Sequence, residues 1–181
     1  GLGMFISGAL VASRTIDYVI KRFDAWLNPF DQENYDAIGG SYQLVQGLFG
    51  FAHGGLLGTG LGGGVPQLVP LAESDFIVAS LGEELGLAGI FAVFTLYILL
   101  VSRGLRIGFN HNDEFSKLLA TGLSFAFALQ CFIVIGGVTR IVPLTGLTTP
   151  FLAAGGSSLV ANWIIIALLM RISDTIRKDV P

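Results

Sequence analysis

Three stretches of this sequence are long and apolar enough to cross a lipid bilayer: residues 76–103, 115–138 and 150–172. A spanning helix needs about 20 such residues, because every backbone N–H and C=O in the hydrocarbon layer must be satisfied inside the segment. Charged residues make up only 13% of the 181 residues, where a soluble domain carries about 25%. Mean hydropathy is +0.73. The expected class is an all-α polytopic membrane protein. The net charge of −3 argues against nucleic acid as a partner, since phosphate backbones are held by basic surfaces. The single cysteine, Cys131, lies inside an apolar run and is read as packing.

Taken in order, residues 1–26 read as part of a spanning helix and its extension. The opening run GLGMFISGALVAS is too short to cross alone, which suggests a helix begun upstream in a longer chain. Arg14, Asp17, Lys21, Arg22 and Asp24 mark the exit, Trp26 suits the headgroup layer, and Asn28-Pro29 stops the helix. Residues 27–75 form a long Gly-rich connection. Within it Gln43, Gln46, Gly50 and His53 share a helical stripe opposite Leu44, Val45, Leu48, Phe49 and Ala52, the pattern of a short helix in the interface. The lead-in to the last span, within 141–172, holds two prolines and a Gly pair. It reads as irregular backbone lining a cavity, with 173–181 as the tail. Arg103, Arg106 and Lys117 flank one loop, and Arg171, Arg177 and Lys178 follow the last span. That side is therefore cytoplasmic, which leaves the long connection, Asp75 and Arg140 outside.

The stretch PQLVPLAESDFIVASLGEELG, residues 66–86, places Asp75 at the mouth of the first span. Ser74 is the expected N-cap, and the helix dipole favours an anion at Asp75. Helical steps from Asp75 reach Ala79, Gly82, Gly86 and Gly89, a small-residue seam along which a neighbouring backbone can approach. Pattern alone leaves Asp75 open between a cap without chemistry and a reactive group. Glu83 and Glu84 stay open between a water-facing pair and the surroundings of Asp75, with Glu83 nearer its face by helical geometry. Residues 58–63, GTGLGG, match a dinucleotide fingerprint only formally, since no strand precedes them and Val65-Pro66 follows. Tight turns and close backbone approach explain these glycines better, with a phosphate nest as the alternative. His53 and His111 lie far apart without metal-ligand spacing.

Several blocks also resemble one family throughout the chain. They are WLNPF at 26–30, SYQLVQ at 41–46, GGLLGTGLG at 54–62, SDFIVASLGEELGLAG at 74–89, PLTGLTTPF at 143–151 and GGSSLVANW at 155–163. In these the sequence is similar to the C-terminal half of the SEDS family, the RodA, FtsW and SpoVE proteins of bacterial wall synthesis. The PLTGLTTPF block resembles actinobacterial RodA-type members more than FtsW.

The resemblance implies a ten-span enzyme of the bacterial cytoplasmic membrane that polymerises lipid II for cell elongation, with a class B penicillin-binding protein transpeptidase as partner. Residues 1–26 would then hold the remnant of the seventh span, and residues 27–75 the large extracytoplasmic loop. The family's essential loop acid falls on Asp75. The residues before it commonly read Pro-Glu-Ala-His-Thr-Asp in the family, against Pro70-Leu71-Ala72-Glu73-Ser74-Asp75 here. The expected mechanism has Asp75 as general base. Pyrophosphate charge would be met by Arg140, Arg22 and Arg14, or by a divalent cation, Mg or Mn. Glu83, Gln46, Ser157 and Ser158 complete the expected substrate-binding set. Membrane lipids surround the spans. A lipid II flippase and a transpeptidase-docking scaffold are the rival expectations.

Overall fold

The structure is a computed structural model that describes residue 3 and residues 17–36, 40–65, 69 and 72–178. Arg14, expected to meet pyrophosphate charge, and the rest of residues 4–16 lie outside the described residues. Among the described residues the fold is entirely helical. Its helices are α1 (Asp17–Leu27), α2 (Gln32–Asp36), α3 (Tyr42–Gly54), α4 (Ile77–Phe109), α5 (Glu114–Val138) and α6 (Gly156–Lys178). α4, α5 and residues Gly156–Ile176 of α6 are long and apolar enough to cross a membrane. Only 17%, 28% and 17% of their respective apolar windows are buried, so most of each helix is left to face lipid or further helices.

The two ends of the helical hairpin are built differently. At one end, Asn110–Asp113 turns α4 into α5, and the Asp113 carboxylate caps α5 by accepting the Ser116 N–H at 2.8 Å. That backbone donor holds the Asp113 carboxyl below the usual carboxylate range. His111 Nδ1 accepts the Asp113 N–H at 3.1 Å, which leaves its Nε2–H to donate to Thr175 of α6 at 3.0 Å. α4 and α5 approach closely here because Gly104 packs on Ser124 and Gly108 on Thr121. Ala120, Leu169 and Ile172 close this end as one buried cluster.

At the other end, Val69, Phe76, Ala79 and Val138 form a second cluster, joined by Phe51, Ala72 and Leu144. It ties α3, the head of α4 and the end of α5 to the irregular segment 139–155. Phe76 is fully buried, which is worth roughly 1.5–3 kcal/mol for a large apolar side chain.

α4 is not one continuous helix. Gly86 has φ 67° and ψ −170°, a conformation open essentially to glycine alone, and it divides an arm, 77–85, from the spanning part, 87–109. The groups freed by the break are taken by the glycine loop. Thr59 and Gly60 N–H donate to the carbonyls of Glu83 and Glu84, both at 3.0 Å. Leu87 and Ala88 N–H donate to Gly55 and Leu56 carbonyls at 2.9 and 3.1 Å. The small-residue seam is therefore occupied, but by α3 and this loop rather than by another spanning helix. Gly47 packs on Phe76 and Gly50 on Ala79 and Glu83, while Gly54 lies on the backbone of Gly82. At Gly89, unlike Gly82 and Gly86, the three atoms nearest an added Cβ all belong to Leu85 of the same helix.

Candidate functional site

Asp75 lies in the turn 72–76, just before α4, and is half-buried. The cap position falls on Phe76, which offers no side-chain oxygen; Phe76 carbonyl accepts from Ala79 and Ser80 instead. Ser74 is thus not the N-cap, because α4 begins at Ile77, two residues later than a cap at Ser74 requires. Asp75 stands ahead of the helix rather than in its first turn.

The carboxylate faces the irregular segment. A Cβ on Gly146 would stand 3.4 Å from Asp75 Oδ2. Gly146 has φ 71°, and Arg140 and Phe151 also hold positive φ, at 64° and 61°. The segment is kept in this shape by donors from several parts of the chain. Arg22 Nη1 donates to Leu144 carbonyl at 2.7 Å, Gln130 Nε2 to Thr148 carbonyl at 3.1 Å, and Tyr97 hydroxyl to Pro150 carbonyl at 2.6 Å. Ala154 N–H donates to Glu73 carbonyl at 2.8 Å, pinning the segment to the turn that carries Asp75. Irregular backbone at membrane depth survives only with such partners. In the sequence Gln130 and Ser124 interrupt an otherwise apolar span, and that interruption is the signal for Gln130. Tyr97 carries no comparable signal.

Arg140 and Trp26 form a reciprocal clamp. Trp26 Nε1 donates to Arg140 carbonyl at 3.0 Å, and Arg140 Nε and Nη2 donate to Trp26 and Leu27 carbonyls at 2.9 and 2.7 Å. A cation on the last carbonyls of α1 also suits that helix's dipole. Arg22 and Arg140 therefore stand on the irregular segment and its approach, each with donors already committed to backbone.

Glu83 is turned elsewhere. It is 5% exposed, and its Oε1 lies 2.9 Å from His53 Nδ1 while accepting the Val65 N–H at 3.1 Å. The water-facing arrangement does not describe it: Glu83 is a buried anchor for the loop, and its ring partner is largely exposed. Within GTGLGG the Gly58, Thr59, Gly60 and Gly63 N–H groups donate to the carbonyls of Gly54, Glu83, Glu84 and Gly60, so these four donors serve the loop's own shape and its hold on α4. Gln46 donates to the Tyr35 hydroxyl at 3.0 Å. Ser157 is exposed in the first turn of α6. Ser158 beside it accepts from Asn162 Nδ2 through its carbonyl, at 2.9 Å, and its hydroxyl, at 3.3 Å.

Among the described residues no three His, Cys, Asp or Glu side chains converge in a group that could hold a metal ion. Grooves of about 550 and 430 Å³ run along α4, one against α6 and one against α5, and Asp75 lines neither. The arrangement around Asp75 is a carboxylate opposite a glycine, at the joint of a broken helix and a braced irregular segment. Such a group can take a proton from a hydroxyl brought to it.

Comparison with known proteins gives the family. Residues 2–178 match the family model of FtsW, RodA and SpoVE, described as cell cycle protein. The chain is 53% identical over 178 residues to a protein named peptidoglycan glycosyltransferase RodA from Mycobacterium tuberculosis, covering 98% of this chain and 37% of that protein. The RodA of Mycobacterium leprae is 50% identical over 177 residues, with the same shares. A probable peptidoglycan glycosyltransferase FtsW from Legionella pneumophila is 45% identical over 161 residues, covering 86% of this chain and 40% of that protein. The chain spans about two-fifths of the length of these relatives, and the mycobacterial RodA proteins match it at higher identity and over more of its length. The chain thus belongs to the FtsW, RodA and SpoVE family and is RodA-like in the actinobacterial sense.

Proposed function

We propose that this chain forms part of a RodA-type peptidoglycan glycosyltransferase that polymerises lipid II, with Asp75 as general base. The observation that carries the reading is the half-buried Asp75 carboxylate facing Gly146 across the joint of two non-helical stretches. Family membership and the names of the relatives supply the reaction class. In the proposed step Asp75 accepts the proton of the acceptor sugar hydroxyl. The oxygen attacks the donor anomeric carbon with inversion, and the bond to undecaprenyl pyrophosphate breaks. The leaving group is already activated, so no nucleotide is needed. A positioned carboxylate contributes typically ~100- to 10,000-fold in rate to such a proton transfer. The charge on the pyrophosphate is assigned to Arg22 and Arg140, whose guanidinium groups stand on the segment beside the acid. The same reading puts Asp75 and the glycine loop outside the cell and gives the enzyme a class B transpeptidase as partner.

The test uses the full-length protein, purified and given labelled lipid II. Asp75→Ala and Asp75→Asn are expected to insert normally and to make no glycan, at least 100-fold below the parent. Glycan of ordinary length and yield from either variant would end the reading. The broken α4 also suits a lipid carrier, because transporters use interrupted helices. A carrier moves lipid II between leaflets but leaves it monomeric in detergent, so chain growth without a membrane separates the two.

A further inference from the structure

The break at Gly86 removes the ordinary way of aiming the arm that leads to Asp75. A continuous helix would transmit the direction of residues 87–109 to residues 77–85. Here the intrahelical path is interrupted by φ 67°, so the arm's angle is set by what grips it from outside. Residues 77–85 have α3 along one side through Gly47, Gly50 and Gly54. At the end by the break, the carbonyls of Glu83 and Glu84 hold Thr59 and Gly60. One side chain joins these two holds. Glu83 Oε1 takes the Val65 N–H at the far end of the glycine loop and His53 Nδ1 at the end of α3. Gly64 makes room for it, since a Cβ there would come 3.0 Å from the Glu83 carboxylate.

We propose that Glu83 is a positioning residue for the reaction: it latches the loop 55–65 and the end of α3 onto the arm and so fixes where Asp75 stands against Gly146. From Gly86 to Ile77 the arm is about 13 Å long, so a swing of about 5° moves its head by about 1 Å. A 1 Å misplacement of a reacting group costs on the order of 100-fold in rate. The latch thus acts through geometry and not through contact with substrate. It rests on the reading of Asp75 as the base.

The experiment compares Glu83→Ala, Glu83→Gln, His53→Ala and Asp75→Ala in the full-length protein. Lipid II polymerisation gives kcat and KM, and amide exchange is followed over residues 55–65. Glu83→Ala is expected to lower kcat at least tenfold with KM within about twofold, and to speed exchange in the loop. Glu83→Gln keeps an acceptor for Val65 N–H and should stay within about threefold of the parent on both measures. His53 has a side chain 60% exposed, so His53→Ala should fold even where Glu83→Ala does not, and should lower kcat about threefold in the same pattern. Parent kcat in Glu83→Ala and His53→Ala alongside an inactive Asp75→Ala would overturn the latch and leave the base standing. Normal polymerisation by Asp75→Ala would remove both.

Discussion

A methyl group on Gly146 would meet one described side chain within 4 Å, and that is Asp75, at 3.4 Å. The backbone there has φ 71°, where a side chain costs roughly 1–2 kcal/mol. Gly146→Ala is therefore expected to fold with a modest loss of stability but to crowd the space a hydroxyl would need beside the acid. Lipid II turnover should fall at least tenfold, more than the change in melting behaviour accounts for. Unchanged turnover would show that substrate does not approach Asp75 from this side. Asp75 itself is legible in the chain as an acid heading an apolar run. Gly146 is one of 25 glycines, and nothing local distinguishes it. Glu83 was legible as an acid near Asp75 on a helical wheel, yet its carboxylate is held by His53 and Val65, thirty and eighteen residues away.

Helix existence follows from apolar periodicity and length, and α4, α5 and α6 occupy the runs that carry it. Helix continuity does not, because glycine occurs inside helices, at a cost of about 1 kcal/mol relative to alanine, as well as at breaks. Gly86 breaks α4, while Gly104 and Gly108 stay helical and serve close packing. The difference lies in what the glycine loop offers: donors and acceptors for the four groups that a break exposes. Gly86→Ala would place a Cβ against Gly58 N–H and Leu56 carbonyl in a conformation that only glycine adopts freely. The expected loss is at least about 1–3 kcal/mol of stability, plus the cost of dislodging the loop. Gly122, inside α5 and with no described atom within 4 Å of a Cβ, is the control, and Gly122→Ala should melt at or slightly above the parent. Equal melting of the two variants would mean that the arm and the spanning part are not parted at Gly86.

Across the molecule, three bonds gather one end around the irregular segment: Arg22 to Leu144, Trp26 to Arg140, and Ala154 to Glu73. The opposite end is closed by His111 on Thr175. The glycine loop and the segment 139–155 thus share one side, and the turn 110–113 and the end of α6 share the other. From the bias of Lys and Arg we propose that the second side is the cytoplasmic one. Cysteines introduced at Leu61, 81% exposed, and at Asn112 test this in intact cells with a membrane-impermeant thiol reagent. Leu61→Cys should label and Asn112→Cys should not until the membrane is opened. The reverse pattern would place Asp75 in the cytoplasm and end its assignment to an extracytoplasmic substrate.

Local chemistry settled much of this protein in advance. Apolar length required membrane helices, Asn28-Pro29 stopped α1, and the spacing of several motif blocks pointed to the family. What no local pattern could supply was the pairing of residues distant in the chain. Arg22 and Leu144 are 122 residues apart, and Arg140 and Trp26 are 114 apart. Guanidinium, indole and carboxylate groups bond whichever backbone the packing brings within about 3 Å. The latch at Glu83, the clamp at Arg140 and the glycine facing Asp75 were decided there, by close approach of elements whose own sequences leave many partners open.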